Sequence, residues 1–163
     1  MNYHKIKHCD MLNGFGLRSV IWLSGCSHNC KGCQNPQTHD PDSGNTFDAA
    51  AIEELFRFQE EGWCSGITLS GGDPLFPLNR KEVLHLVSLF KERYPNKTIW
   101  LYTGYTYESI KEDKLVSQIL SYIDVLVDGV FVESLKTVNL HYRGSSNQRV
   151  LSLSEGGCHE LSV

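Results

Sequence analysis

Four β-rich runs in this chain each end in a stretch of glycine, cysteine or aspartate, and helical runs lie between them. Ser19 to Leu23 leads into Gly25-Cys-Ser-His-Asn-Cys-Lys-Gly-Cys-Gln34, and Gly66 to Ser70 into Gly71-Gly72-Asp73-Pro74. Thr98 to Tyr102 leads into Thr103-Gly104-Tyr105, and Ile123 to Val127 into Asp128-Gly129. Strands alternating with helices argue for parallel pairing through βαβ units. In parallel α/β folds the chemistry gathers at the carboxyl ends of the strands. The four stretches are therefore expected to meet at one site. The chain has 163 residues, whereas a full eight-unit barrel needs about 200–250. The expected fold is an α/β single domain over residues 1–163: a partial, open β/α barrel with a mostly parallel sheet of about four or five strands.

Periodicity places the helices. Asp48 to Gln59 carries Ile52, Leu55 and Phe56 on one face, and Asn79 to Tyr94 carries Val83, Leu86, Val87 and Phe90. Pro95 stops the second of these. Tyr107 to Tyr122 reads as a third helix, broken near Asp113. Asp10 to Arg18 reads as a glycine-punctuated loop. Arg143 to Arg149 is a dense polar segment, able to touch a ligand or partner or to serve as an ordinary turn, and Val150 to Leu153 is a candidate fifth strand. Residues from about 154 onward, including Cys158 and His159, are expected to form a flexible tail.

Composition narrows the class. Apolar residues make up 40% and charged residues 21%, as in an ordinary globular domain. The net charge is −4 with no lysine or arginine run, which argues against a nucleic-acid partner. The first ten residues hold no apolar core for a signal peptide, and no run approaches the about 18 apolar residues that span a bilayer. A cytoplasmic location is expected, with no membrane partner. In that reducing compartment six cysteines are better suited to metal than to disulfides.

Cys26, Cys30 and Cys33 stand in C-x3-C-x2-C spacing, so three thiolates can converge on one side of a loop. A 4Fe–4S cluster normally takes one cysteine per iron, and a local set of three leaves one iron open to a substrate. Zinc is the other reading, with His28 completing a Cys3His site, although structural zinc motifs usually bring a second C-x2-C type pair. Cys9, Cys64 and Cys158 are isolated. Gly71 and Gly72 put side-chain-free backbone at a strand end, and Asp73 adds a carboxylate for an ammonium group, or the stretch is a plain strand-to-helix turn. Asp128 reads as a binder of a cation or ligand amine, or as a turn cap.

The ordered motifs carry a resemblance. C-x3-C-x2-C after one strand and Gly-Gly-Asp-Pro after the next resemble the radical S-adenosylmethionine superfamily. Asn13-Gly14-x-Gly16-x-Arg18, Cys26-x-His-x-Cys-x-Gly-Cys33, Ser70 to Pro74, Thr103 to Tyr105, Val127-Asp-Gly-x-Phe131 and Arg143 to Gln148 together are similar to its activators of anaerobic ribonucleoside-triphosphate reductase. That resemblance implies a 4Fe–4S cluster on Cys26, Cys30 and Cys33, with S-adenosyl-L-methionine on the remaining iron. It implies that Gly71, Gly72 and Asp73 hold the methionyl amino group, that Gly32 and Gln34 beside Cys33 lie against the adenosyl part, and that Asp128 lies near the methionyl end. It further implies reductive cleavage to methionine and a 5′-deoxyadenosyl radical, which takes hydrogen from a glycine of the reductase. Reduced flavodoxin or a similar donor supplies the electron, and no side chain serves as acid, base or nucleophile. Two other functions stay open at this point: a radical S-adenosylmethionine enzyme acting on a small molecule, and a non-catalytic zinc-binding module.

Overall fold

The computed structural model describes residues 1–154 and 157–163. Its single sheet has eight strands: β1 (Asn2–Asp10), β2 (Leu17–Leu23), β3 (Asn45–Thr46), β4 (Cys64–Gly71), β5 (Thr98–Tyr102), β6 (Val125–Asp128), β7 (Arg149–Ser154) and β8 (Gly157–Glu160). Their order is β3-β1-β2-β4-β5-β6-β7-β8, and the terminal strands β3 and β8 leave the sheet open. Pairing is parallel through β2, β4, β5 and β6 and antiparallel on both flanks.

The sheet is thus mixed rather than mostly parallel, and larger than the four or five strands expected. The expected strands form its parallel centre and first C-terminal neighbour. The additions, β3, β1 and β8, lie on the antiparallel flanks. β1 reads Asn-Tyr-His-Lys-Ile-Lys-His-Cys-Asp and turns no continuous apolar face inward, so its pattern gives little strand signal. It still completes the ladder against β2, with register shifts at both ends. The segment expected as a tail contributes β8, which pairs with β7 from Leu151↔Glu160 to Ser154↔Gly157 and contains Cys158 and His159. Glu155 and Gly156 lie outside the described residues.

Four helices connect the parallel strands: α1 (Ala49–Phe56), α2 (Arg80–Arg93), α3 (Tyr107–Ile110) and α4 (Lys114–Leu120). Asp48 caps α1 by accepting from the Ala51 N–H, and Asp113 caps α4 by accepting from Leu115 and Val116, which is why the third helical run breaks there. The strands' alternate residues serve two cores. Ile21, Leu23, Ile67, Leu69, Ile99, Leu101 and Leu126 pack with Leu55, Leu86, Phe90 and Ile119 of the helices. The opposite face carries Trp100, Val125, Val127 and Val150, with Tyr102 and Tyr142 against them and no helical residue. The helices therefore cover one face, and the other is left to line a site. Among the described residues no helix is long and apolar enough to cross a membrane.

Low on that second face lies the Arg18 guanidinium, fully buried. It donates to Thr68 Oγ1, Thr98 Oγ1 and the carbonyls of Phe15, Ile67 and Thr98, so its donors are met by neutral oxygens alone. Burial draws it down to about 10, against the smaller opposing pull of Cys64, Asp124 and Tyr102.

Candidate metal centre and ligand cavity

Register places the site's floor. Trp22 pairs with Ser70, Tyr102 with Val127, and Val127 with Val150, so these side chains share one level at the carboxyl ends of the parallel strands. Above that level opens a cavity of about 620 Å³. Trp22, Ser70 and Tyr102 line it, as do Cys26, Cys30 and Cys33 from the loop after β2. Gly71, Gly72, Gln34, Thr103 and Gly104 also reach it. Loops after β2, β4 and β5 therefore meet at one place, joined by residues 129 to 148 between β6 and β7.

The cysteine loop is fastened by its backbone. Gly25 N–H donates to Thr38 O (2.8 Å) and Cys26 N–H to His39 O (3.0 Å). Asn79 Nδ2 donates to Ser24 O (2.7 Å), tying the loop's start to the front of α2. Cys33 N–H turns back to Cys30 O (3.1 Å), and its sulfur accepts from Asn35 N–H (3.4 Å). Asn29 (φ 47°) and Gly32 (φ 71°) adopt left-handed backbone, which lets the loop wrap tightly between its cysteines. The three thiols are free and half-buried. Burial pushes the Cys26 thiol up, as do Asp73, Cys30 and Cys33 nearby, against a hydrogen bond from the His28 backbone; binding a metal there releases a proton.

The donor set was tested against the two metals the spacing allows. Among the described residues no three His, Cys, Asp or Glu side chains bunch closely enough to hold one metal ion. Zinc needs such bunching, with sulfurs at about 2.3 Å. A 4Fe–4S cube presents its irons at separate corners, and three thiols spread along one cavity wall suit that larger group. His28 lines the cavity beside the three thiols, and its Nε2 faces Asp73 Oδ2 at 2.8 Å.

The other predicted residues divide. Gln34, Gly71 and Gly72 line the cavity; Gly32, Asp73 and Asp128 do not. A side chain on Gly32 would meet the Glu133 carboxylate at 2.7 Å, so this glycine faces the single-turn 3-10 helix Glu133–Leu135 rather than a ligand. Asp73 is 1% exposed, and its carboxylate is already engaged. It accepts from Leu75 N–H (2.8 Å), Gly104 N–H (3.0 Å), the Thr103 hydroxyl (2.9 and 3.0 Å) and His28. Nothing of it is left to greet an ammonium group. Asp128 is engaged likewise: Arg149 Nε donates to Oδ1 (2.9 Å), and Arg149 Nη2 and Tyr107 N–H donate to Oδ2. Arg149 also pairs with Glu108, so this aspartate ties β6, β7 and the start of α3 together.

The amides of Gly72 and Asp73 are also spent internally, donating to Leu23 O and Gly25 O, each at 2.8 Å. A Cβ on Gly72 would stand 2.5 Å from Gly25 O and 2.7 Å from Thr38 O. The double glycine thus lets β4 close on the cysteine loop. Trp22, Tyr102 and Tyr142, which wall the cavity together with Phe131, were not singled out from sequence. Strand parity was the usable signal: Trp22 is four residues before Cys26, on the face opposite Ile21 and Leu23.

With this geometry in view, the comparisons are specific. A family described as "4Fe-4S single cluster domain" matches residues 12–151. The anaerobic ribonucleoside-triphosphate reductase-activating protein of Enterobacteria phage T4 is 44% identical over 156 residues, covering 96% of this chain and 97% of its own. The protein of the same name from Escherichia coli (strain K12) is 41% identical over 152 residues, 92% and 97% of the two chains. That from Vibrio cholerae is 40% identical over 150 residues, 91% and 96%. Identity at this level, along nearly the whole of each chain, shows that the protein belongs to the anaerobic ribonucleoside-triphosphate reductase-activating protein family.

Proposed function

We propose that the protein activates an anaerobic ribonucleoside-triphosphate reductase by making a glycyl radical on it, with a 4Fe–4S cluster on Cys26, Cys30 and Cys33 and S-adenosyl-L-methionine in the adjoining cavity. The observation that carries this reading is the presence of three free thiols in the lining of a cavity at the ends of the parallel strands. The names of the relatives supply the target. A cluster held by Cys26, Cys30 and Cys33 would supply the one electron that reductively breaks a C–S bond of S-adenosylmethionine, which would yield methionine and a 5′-deoxyadenosyl radical able to take a hydrogen atom from a glycine Cα of the reductase. A reduced flavodoxin or a donor like it supplies that electron.

The chain's own residues bind, place and shield. The three thiols hold the metal, and Gly71 and Gly72 let the end of β4 close on the backbone of β2 and of the cysteine loop. A cavity of about 620 Å³ falls within the range of about 300–1,000 Å³ usual for small-molecule sites. Trp22, Tyr102, Phe131 and Tyr142 give it aromatic walls that suit an adenosine and keep water from the reacting carbon. Its rim is apolar where Met11 and Leu12 stand 66% and 76% exposed, which suits cover by a protein segment. No acid, base or nucleophile is needed, because the cofactors supply the chemistry.

The test is anaerobic mixing of iron-loaded protein, S-adenosylmethionine, a reductant and the reductase, read by electron paramagnetic resonance. A glycyl-radical doublet on the reductase is expected. Cleavage of S-adenosylmethionine without any such signal would contradict the proposal.

A further inference from the structure

Cys30 and Cys33 stand at the two ends of one tight turn, closed by the Cys33 N–H on Cys30 O (3.1 Å). Both cysteines line the main cavity, whereas Lys31 and Gly32 between them do not. Ser27 and Asn29 are likewise exposed and absent from the lining. This stretch of the loop thus has an inner face of Cys26, His28, Cys30 and Cys33, and an outer face open to water. Two of the thiols proposed to hold the metal hang one residue step, about 3.8 Å along the chain, from solvent-exposed backbone.

The outer face carries charge of one sign. Lys31 is the one lysine, arginine, aspartate or glutamate between Ser24 and His39. Its side chain is 93% exposed, and its Nζ lies 3.6 Å from Oε2 of Glu133, itself half exposed. An exposed pair of this length holds little energy, so the ammonium stays available to a partner. Lys136 is exposed on the same 3-10 turn as Glu133, its N–H donating to Glu133 O (3.2 Å). Two lysines against one glutamate leave this place cationic, on a chain whose net charge is −4. The molecule as a whole repels an acidic protein, and the outer face of this turn attracts one.

We infer that the turn from Cys30 to Cys33 is the electron-entry face of the protein, and that Lys31 steers an acidic one-electron donor protein onto it. The inference rests on the function proposed above and adds the donor's docking place to it. In that function the cavity side of the thiols is taken by S-adenosylmethionine and, beyond it, by a segment of the reductase. The outer face stays open while both are bound. There the reduced donor gives up one electron and the metal centre gains it, with no bond made or broken and no proton moved. Glu133 opposes the encounter, because it occupies the Lys31 ammonium and repels an acidic surface.

Lys31→Glu, Lys31→Ala and Glu133→Gln are prepared anaerobically at wild-type iron content, and reduction of the metal centre is followed by stopped-flow absorbance. The donors are reduced flavodoxin of acidic net charge and reduced methyl viologen, a small cation that needs no docking surface. With flavodoxin at low salt, Lys31→Glu is expected to be reduced about tenfold more slowly than wild type, Lys31→Ala less so, and Glu133→Gln about twofold faster. Added salt narrows these differences, because exposed charges are screened. Methyl viologen is expected to reduce Lys31→Glu no more slowly than wild type. A wild-type rate with flavodoxin in Lys31→Glu overturns the inference. Equal slowing of that variant with both donors also overturns it, since the change would then lie in the metal centre rather than in its docking face. In either case the proposed function stands. A wild-type protein reduced by neither donor would bring down the metal centre of the proposed function, and this inference with it.

Discussion

His28 Nε2 lies 2.8 Å from Oδ2 of Asp73, so the middle of the cysteine loop is tied to the turn after β4. The same carboxylate accepts from Thr103 and Gly104 after β5. The His28 ring sits edge-on to Tyr105, 4.6 Å between centroids. A Cβ on Gly104 would stand 2.4 Å from that ring, which explains the glycine between Thr103 and Tyr105. Two motifs that looked like ligand contacts in the sequence are thus parts of one clamp on the metal loop.

Asp73→Ala removes an acceptor shared by four donors, two of them, from Leu75 and Thr103, on buried residues. A loss of about 3 kcal/mol or more in stability is expected, because several buried donors are left unpaired. Urea unfolding of the apo-protein measures it, and iron content after reconstitution should fall in parallel. Wild-type stability with full iron loading in this variant would show that the clamp does not position the loop.

The clamp also shows where sequence reading stopped. The cysteine triplet was legible because its ligands lie within eight residues and their spacing is itself chemistry. The central strands and the helix break near Asp113 were legible for a similar reason: apolar runs and a capping aspartate act locally. Asp73 and Asp128 were not, since an aspartate at a strand end looks alike whether it faces a ligand or a neighbour. Their partners, His28 and Thr103 for one and Arg149 for the other, come from 21 to 45 residues away. β1 and β8 escaped notice because these half-exposed flanking strands carry little apolar alternation.

Gly72→Val should disturb the metal loop itself, not only a ligand in front of it. The added side chain meets Gly25 O and Thr38 O, both of which are backbone and cannot step aside cheaply. Iron loading is expected to drop by more than half, with stability lowered by about 2 kcal/mol or more. A variant with normal iron content, losing only S-adenosylmethionine affinity, would count against this packing role.

Cys26→Ala, Cys30→Ala and Cys33→Ala should each abolish stable cluster binding, whereas Cys9→Ala and Cys158→Ala should retain it. Cys64, the first residue of β4, is buried, so Cys64→Ala is expected to lose about 1 kcal/mol of stability and keep its iron. Iron and sulfide analysis with absorption spectra separates these outcomes. Full loading of Cys30→Ala would break the ligand assignment.

Arg149→Gln strips Asp128 of its bidentate partner while the aspartate stays buried. A loss of about 3 kcal/mol is expected, since removing one member strands a buried charge. The effect should be reduced in the double variant Arg149→Gln with Asp128→Asn. Additive losses in that double variant would show that the pair is not coupled.

The most direct measurement of the central claim follows one hydrogen atom. The reductase is prepared with deuterated glycine and mixed anaerobically with the iron-loaded protein, S-adenosylmethionine and reductant, and the 5′-deoxyadenosine formed is weighed by mass spectrometry. Direct abstraction predicts deuterium in 5′-deoxyadenosine, in step with the glycyl-radical signal. A full glycyl-radical signal with unlabelled 5′-deoxyadenosine would contradict the account.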